Sequence, residues 1–343
     1  MKKIRVAING FGRIGRAFLK VARERDEIEV VAINDLGSVE NFAYLLKYDT
    51  AYGVSDFDVS AKADGSALIV GGKEIAFVSQ RDATLLPWKK YNIDVVVEST
   101  GLFVDYTKAK VHLDAGAKRV VITAPAKGGE EGKDGVTVLM GLNEERFAAC
   151  PITSNASCTT NAGSPLMAIL DETIGIEKAV LNTVHAYTAS QSIVDGPAKK
   201  DLREGRAAAQ NIVPSSTGAA IAVTKALPQL EGKFDGISIR VPVVVGSIVD
   251  ITFIAKRNTS KDEVNQILRK AASDARWSRI FAVTEEPLVS SDVKGDPHAS
   301  IADLEMTRVV GGNLVKVLGW YDNEMGYTHT LVDHVVKAGS FIK

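Results

Sequence analysis

Ile4-Arg5-Val6-Ala7-Ile8-Asn9-Gly10-Phe11-Gly12-Arg13-Ile14-Gly15 is the stretch that decides the fold. Ile4 to Ile8 is a short β-rich apolar run, and glycines follow at 10, 12 and 15 with the spacing G-x-G-x-x-G. From Ile14 to Glu24 the apolar residues Ile14, Ala17, Phe18, Val21 and Ala22 share one face of a helix. Glu29 to Asn34 is a second apolar strand, ending at Asp35. Strand, glycine turn, helix and strand make a βαβ unit of about thirty residues. Gly10 permits the tight turn, Gly12 lets a phosphate approach the backbone, and Gly15 lets helix and strand pack closely. The free N–H groups and partial positive charge of a helix start suit an anion. Asp35 lies where a carboxylate accepts hydrogen bonds from a ribose, and Asp35 with Leu36 favours NAD over NADP. A glycine turn beside a solvated acid is the plainer reading of the same residues.

Outward from this unit, Asp94–Glu98 and Arg119–Thr123 are valine-rich runs of the kind buried in parallel sheets. Through about residue 150 the pattern is α/β, a Rossmann-type doubly wound parallel sheet. The pattern then changes. Ser164–Thr173 is helical in period, and Glu177–His185, Gly236–Pro242 and Ser247–Ala255 are long β-rich stretches. Ser260-Lys261-Asp262-Glu263 fits a capping box opening a helix through Ala275. Thr307–Val310 and Leu314–Leu318 read as strands, and Tyr327–Ala338 as a last helix. This second half predicts an α+β domain with a mainly antiparallel or mixed sheet. The expected division is 1–157, 158–323, and a closing helix, 324–343, returning to the first domain.

Forty-one Lys and Arg against 42 Asp and Glu give a formal net charge of −1, which speaks against nucleic acid as the main partner. No stretch approaches the ~18 apolar residues of a membrane span. The early Asn9, Arg13 and Arg16 break any signal-peptide pattern, so a cytoplasmic protein is expected. The only cysteines are Cys150 and Cys158, which excludes a disulfide framework and a four-Cys zinc site, and no metal is expected.

Cys158 lies in Ser154-Asn155-Ala156-Ser157-Cys158-Thr159-Thr160-Asn161, small polar residues ahead of a helical pattern. A helix N-terminus lowers a thiol pKa, and nearby N–H groups can form an oxyanion hole. His185, at a strand end in the same domain, is the best-placed base. A Cys/His pair with a dinucleotide site suggests aldehyde oxidation through a hemithioacetal and a thioester. By residue type alone, Cys158 and His185 are each more often core residues, as Cys150 is read here.

The runs N-G-F-G-R-I-G-R (9–16), S-N-A-S-C-T-T-N (154–161), H-A-Y-T (185–188), P-S-S-T-G-A-A (214–220), R-V-P (240–242) and W-Y-D-N-E-M-G-Y (320–327) occur in this order. In them the chain resembles the phosphorylating glyceraldehyde-3-phosphate dehydrogenase family over essentially its whole length. That resemblance implies Cys158 as nucleophile and His185 as base. It implies NAD held by Gly10, Gly12, Gly15 and the amides of Arg13 and Ile14, with Asp35 on the ribose, Arg81 near the adenine, Thr123 lining the cleft and Asn323 on the nicotinamide carboxamide. Thr188 and Arg240 fit the site for the substrate's C3 phosphate; Ser157, Thr159, Thr217 and Gly218 fit that for inorganic phosphate. The implied partners are glyceraldehyde 3-phosphate and inorganic phosphate, and the implied assembly is a homotetramer.

Apart from the family, hydroxyls and N–H groups suit phosphate, but Ser215–Gly218 also reads as a helix cap and Arg240 as a solvated strand residue. Many bacterial members have a second arginine where Glu204 stands in Lys200–Arg206, which shifts the phosphate site onto Arg240 or Arg203. Erythrose-4-phosphate dehydrogenase is the nearest rival reading, and a non-catalytic RNA-binding relative a rival of another class.

Overall fold

The computed structural model describes residues 3–198 and 201–342; Lys200, the first residue of the Glu204 segment, lies outside them. Two compact units are present. One comprises Met1–Val138, Asn143–Ala156 and Leu331–Lys343, the other Leu139–Leu142 and Ser157–Thr330. Apart from the short piece Leu139–Leu142, the second unit begins at Ser157, and the closing helix Met325–Ser340 passes into the first unit at Leu331.

The first unit holds a nine-stranded sheet. Its parallel portion runs Val136–Thr137, Ile152–Ser154, Arg119–Ile122, Val95–Glu98, Ile4–Asn9, Ile28–Asn34, Lys73–Val78; Ala67–Val70 and Val59–Ala61 add an antiparallel edge. Val6, Ile8, Val95, Val96, Val97, Val120 and Val121 are fully buried, which explains their uninterrupted apolar sequence. The chain places Ile28–Asn34 on one side of Ile4–Asn9 and later returns to place Val95–Glu98 on the other. That reversal is the topological switch point where such sheets bind ligands, and the glycine turn opens directly onto it.

The second unit carries a seven-stranded mixed sheet in the order Val213–Ser216, Phe234–Val241, Ile176–Ala186, Ser247–Ala255, Leu314–Tyr321, Ser300–Val310, Phe281–Thr284. Two of its pairings are parallel, Ile176–Ala186 with Phe234–Val241 and Phe281–Thr284 with Ser300–Val310; the other four are antiparallel. Helix Cys158–Thr173 packs on one face, with Leu166, Met167 and Leu170 fully buried against Val249, Ile251 and Phe253. This helix starts six residues before the Ser164 that the periodicity suggests. Ser157 supplies the cap, and Pro165, which reads as a helix start, lies inside it. The helix opened by Ser260 ends at Ala272 rather than 275, and the strand read as Thr307–Val310 extends back to Ser300.

Candidate active site

In the first unit the three motif glycines have separate duties. Gly10 has φ +95°, and a Cβ there would sit 2.6 Å from the Thr100 nitrogen. A Cβ on Gly15 would collide with the Gly10 carbonyl. Gly12 has nothing within 4 Å of where its Cβ would be. Helix Arg13–Ala22 starts at Gly12 with no side-chain cap and no acid in its first turn. The start of this helix thus has open space at Gly12 and no side chain capping it. The Arg13 side chain turns away to Asp49, at 2.8 Å. Asp35 is fixed beside the turn: Oδ2 accepts from the Phe11 N–H (2.6 Å) and Oδ1 from that of Leu36 (2.7 Å). Arg81 is exposed, and the Thr123 hydroxyl donates to the Glu98 carbonyl (3.0 Å).

In the second unit Cys158 is the first residue of its helix. Ser157 caps it, Oγ accepting from the Thr160 N–H at 3.1 Å. Just before the cap, Ala156 has φ +54°, a left-handed conformation that costs a non-glycine residue roughly 1–2 kcal/mol. Leu181, Thr183 and His185 alternate inward along Ile176–Ala186, so strand periodicity carries His185 to the helix start. His185 Nε2 lies 3.3 Å from Cys158 Sγ. Parallel pairing sets Arg240 directly opposite His185, and its Nη1 reaches His185 Nδ1 at 2.6 Å. Arg240 is therefore not a solvated strand residue. Nδ1 is also 2.6 Å from the Ala186 carbonyl.

The electrostatics differ from the sequence expectation. Burial pushes the Cys158 thiol up, and the opposing pull of Arg240 and the Thr159 N–H and hydroxyl does not overcome it. Desolvation thus opposes what the helix N-terminus does for this thiol. Burial first, and Arg240 second, lower His185 to about 3. Cys158 keeps partial exposure, so an electrophile can reach it.

Tyr321 escaped the sequence reading although it lies two residues before Asn323. It is buried, and its ring meets His185 edge-on at 5.9 Å. Its hydroxyl joins Thr159 Oγ1 (3.0 Å) and Thr183 Oγ1 (2.8 Å), and Thr183 donates to the Ile248 carbonyl. Since a carbonyl only accepts, the chain runs Thr159 to Tyr321 to Thr183 to Ile248. Asn323 Oδ1 accepts from the Gly246 N–H (3.0 Å) and the Ser247 hydroxyl (3.1 Å), which orients its amide nitrogen the other way.

The remaining phosphate residues are also engaged locally. Thr217 Oγ1 accepts from the Ala219 N–H (3.2 Å), Gly218 precedes helix Ala219–Ala226, and Thr188 Oγ1 meets Ser190 Oγ (3.1 Å). Glu204 accepts from the Ser215 hydroxyl (3.0 Å), bracing that strand, and Arg203 forks onto Asp201. Of the two arginines considered for phosphate, Arg240 stands at the thiol and Arg203 is paired with a neighbouring carboxylate.

Two family models match the chain, one over each half. The model of the glyceraldehyde 3-phosphate dehydrogenase NAD binding domain matches residues 4–106, and that of the family's C-terminal domain matches 157–323. The chain belongs to the glyceraldehyde-3-phosphate dehydrogenase family. Among the family's curated members it is 47% identical to glyceraldehyde-3-phosphate dehydrogenase 2 of Streptomyces avermitilis over 98% of this chain and 99% of that one. It is 48% identical to the glyceraldehyde-3-phosphate dehydrogenase of Borreliella burgdorferi (96% and 98%) and 46% to number 2 of Bacillus subtilis (96% and 95%). Among the described residues no helix is long and apolar enough to cross a membrane, and no cluster of three His, Cys, Asp or Glu could hold a metal ion.

Proposed function

We propose that the protein oxidises D-glyceraldehyde 3-phosphate with NAD+ and inorganic phosphate, giving 1,3-bisphosphoglycerate and NADH. The 3.3 Å approach of His185 Nε2 to Cys158 Sγ at a capped helix start carries this reading. The family relatives named above bear the triose phosphate name, which favours that aldehyde over erythrose 4-phosphate.

The first unit's residues fit a dinucleotide, because Gly12 has open space at an uncapped helix start and Asp35 is pinned to the same turn through Phe11. Gly10, Gly12 and Gly15 with the Arg13 and Ile14 amides would hold the pyrophosphate, Asp35 the ribose, Arg81 the adenine side and Thr123 the nicotinamide side; in the second unit, Asn323 is the residue that the family resemblance assigns to the carboxamide. Bound NAD supplies the hydride acceptor. Cys158 Sγ forms the C–S bond to the aldehyde carbon while His185 takes the thiol proton. N–H groups of the helix start face the oxyanion that forms. Oxidation of this adduct leaves Cys158 as an acyl thioester. Inorganic phosphate, received by Ser157, Thr159, Thr217 and Gly218, then displaces the thiolate, so the acyl energy is conserved. Thr188 and Arg240 receive the substrate's own phosphate.

Ile193, Val194, Leu202 and Ile212 are 71–86% exposed, bare apolar side chains of the kind an interface covers, which supports a homotetramer. A cytoplasmic setting suits two free thiols. The test is one assay. Glyceraldehyde 3-phosphate should reduce NAD+ only with phosphate or arsenate present; equal rates without either would sink the phosphorylating mechanism.

A further inference from the structure

Thr159, Tyr321 and Thr183 form a line of buried hydroxyls that ends on the Ile248 carbonyl. Thr159 follows Cys158 in the first turn of helix Cys158–Thr173, and its N–H and hydroxyl both act on the Cys158 sulfur. Each hydroxyl has one proton to give. With the Thr183 proton on the Ile248 carbonyl, the line points away from the thiol, and Thr159 gives its proton to Tyr321. In that order Thr159 offers the space beside Cys158 a lone pair and no O–H donor. A phosphate oxygen without hydrogen only accepts, so a Thr159 hydroxyl turned this way cannot hold it.

The same distances allow the opposite order. Either atom can donate across the 3.0 Å contact of Thr159 with Tyr321, and across the 2.8 Å contact of Tyr321 with Thr183. When Thr183 turns its proton from Ile248 to Tyr321, Tyr321 gives its own to Thr159, and Thr159 donates beside the thiol. The bond given up is the one to Ile248, at 3.2 Å the longest of the three. No O–H bond breaks; three hydrogens rotate.

We propose that Tyr321 is a positioning residue for Thr159: its hydroxyl, turned from Thr183 to Thr159, makes Thr159 a donor to inorganic phosphate. This rests on the proposed function in naming phosphate as the anion. Burial pushes the Tyr321 hydroxyl up, so at neutral pH it keeps its proton and works by turning it. A hydroxyl that accepts from one group while it donates to another is polarised, and its outgoing bond is strengthened. Tyr321 thus acts through Thr159 and does not itself touch the phosphate. The edge-on packing of its ring on His185, at 5.9 Å, survives in a phenylalanine, so Tyr321→Phe removes the hydroxyl and keeps the wall.

The experiment titrates inorganic phosphate into the full-length protein by 31P NMR and, in parallel, measures KM for phosphate and for the aldehyde. Tyr321→Phe should weaken phosphate roughly two- to tenfold in both readouts, the worth of one hydrogen bond, and leave KM for the aldehyde in place. Thr183→Val removes the outward acceptor, so Tyr321 has only Thr159 to donate to, and phosphate should bind at least as tightly as in the wild type. In a Thr159→Val background, Tyr321→Phe should have no further effect on phosphate. A merely structural tyrosine would give losses of the same sign in Tyr321→Phe and Thr183→Val, and they would add to that of Thr159→Val. Unchanged phosphate binding in Tyr321→Phe, weaker binding in Thr183→Val, or additive losses overturn the relay. The proposed reaction fails separately, as NAD+ reduction that needs no phosphate, and the 31P titrations still read the relay in that case.

Discussion

Two buried histidines divide the molecule's chemistry between them. His112, in the first unit, is fully buried in a closed circuit. Trp88 Nε1 donates to its Nδ1 (3.1 Å), so Nε2 carries the proton and gives it to Glu98 Oε2 (2.9 Å). Glu98 also accepts from Asn9 Nδ2 (2.6 Å) and from the Thr100 N–H and hydroxyl. Asn9 in turn accepts from Asn34. Every polar group has its partner, and the circuit ties three strand ends together beneath the glycine turn. His185, 3% exposed in the second unit, has one nitrogen against a thiol and the other contested by a donor and an acceptor. Burial alone therefore does not separate a structural histidine from a chemical one; the separating property is whether its hydrogen bonds are mutually compatible. A satisfied network fixes one state, and a contested one does not.

The sharpest break between the two regions is expected on activity. Cys158→Ala should remove turnover by at least about 10⁴-fold with the fold intact, because the hydroxyls beside it are far weaker nucleophiles than a thiolate. His185→Asn should lower kcat/KM by roughly 10²–10⁴-fold and slow thiol alkylation. Wild-type activity in either variant would return that residue to the core class. His112→Phe should do the converse. It strands the Trp88 N–H and strips a donor from the buried Glu98 carboxylate, a loss of about 3–5 kcal/mol in urea unfolding. If instead His112→Phe abolished kcat while the urea midpoint stayed put, the division drawn between the two histidines would be wrong.

Smaller, and readable without mutation, is the pH dependence. His185 is held at about 3, and so is His334 in the first unit, by burial and then the Arg119 charge. Both are ordinary bases near 6.5 once unfolded. Between about 3 and 6.5 the unfolded chain therefore binds more protons, so stability rises with pH and is complete above 6.5. Each group contributes up to about 1.4 kcal/mol per pH unit in that window. The urea midpoint should fall on acidification from pH 6.5, and His185→Asn should flatten part of the slope. An identical slope in the variant would show that His185 charges freely in the folded state.

The comparison also explains what the sequence could reveal. The glycine turn, Asp35 and the Cys158 helix start are local patterns, legible because turn and cap chemistry acts over a few neighbouring residues. His185 was found from a motif and a strand end. The placement of Arg240 against it was not, because that depends on register between strands 55 residues apart. The His112 circuit was invisible for the same reason, with Asn9 and Glu98 separated by 89 positions. The start of the Cys158 helix was blurred by Pro165, which resembles a beginning in sequence and sits inside the helix in space. At the thiol, burial opposes the helix start; helix position can be read from sequence, whereas burial cannot.

The finest discrimination concerns Ser157, which stands both as a cap and as a proposed phosphate ligand. Its Oγ accepts from the Thr160 N–H and is 2.7 Å from the Thr160 hydroxyl. Ser157→Ala should cost about 1 kcal/mol of stability, the usual worth of a hydroxyl cap. Because that cap sets the first turn on which Cys158 stands, thiol alkylation should slow modestly as well. If the hydroxyl only caps, KM for inorganic phosphate stays where it was. If it also receives phosphate, that KM rises while KM for the aldehyde does not, since Oγ can accept the Thr160 N–H while giving its proton to a phosphate oxygen. Measuring both constants in Ser157→Ala and Ser157→Gly separates the roles, because glycine restores much of the cap without restoring a hydroxyl.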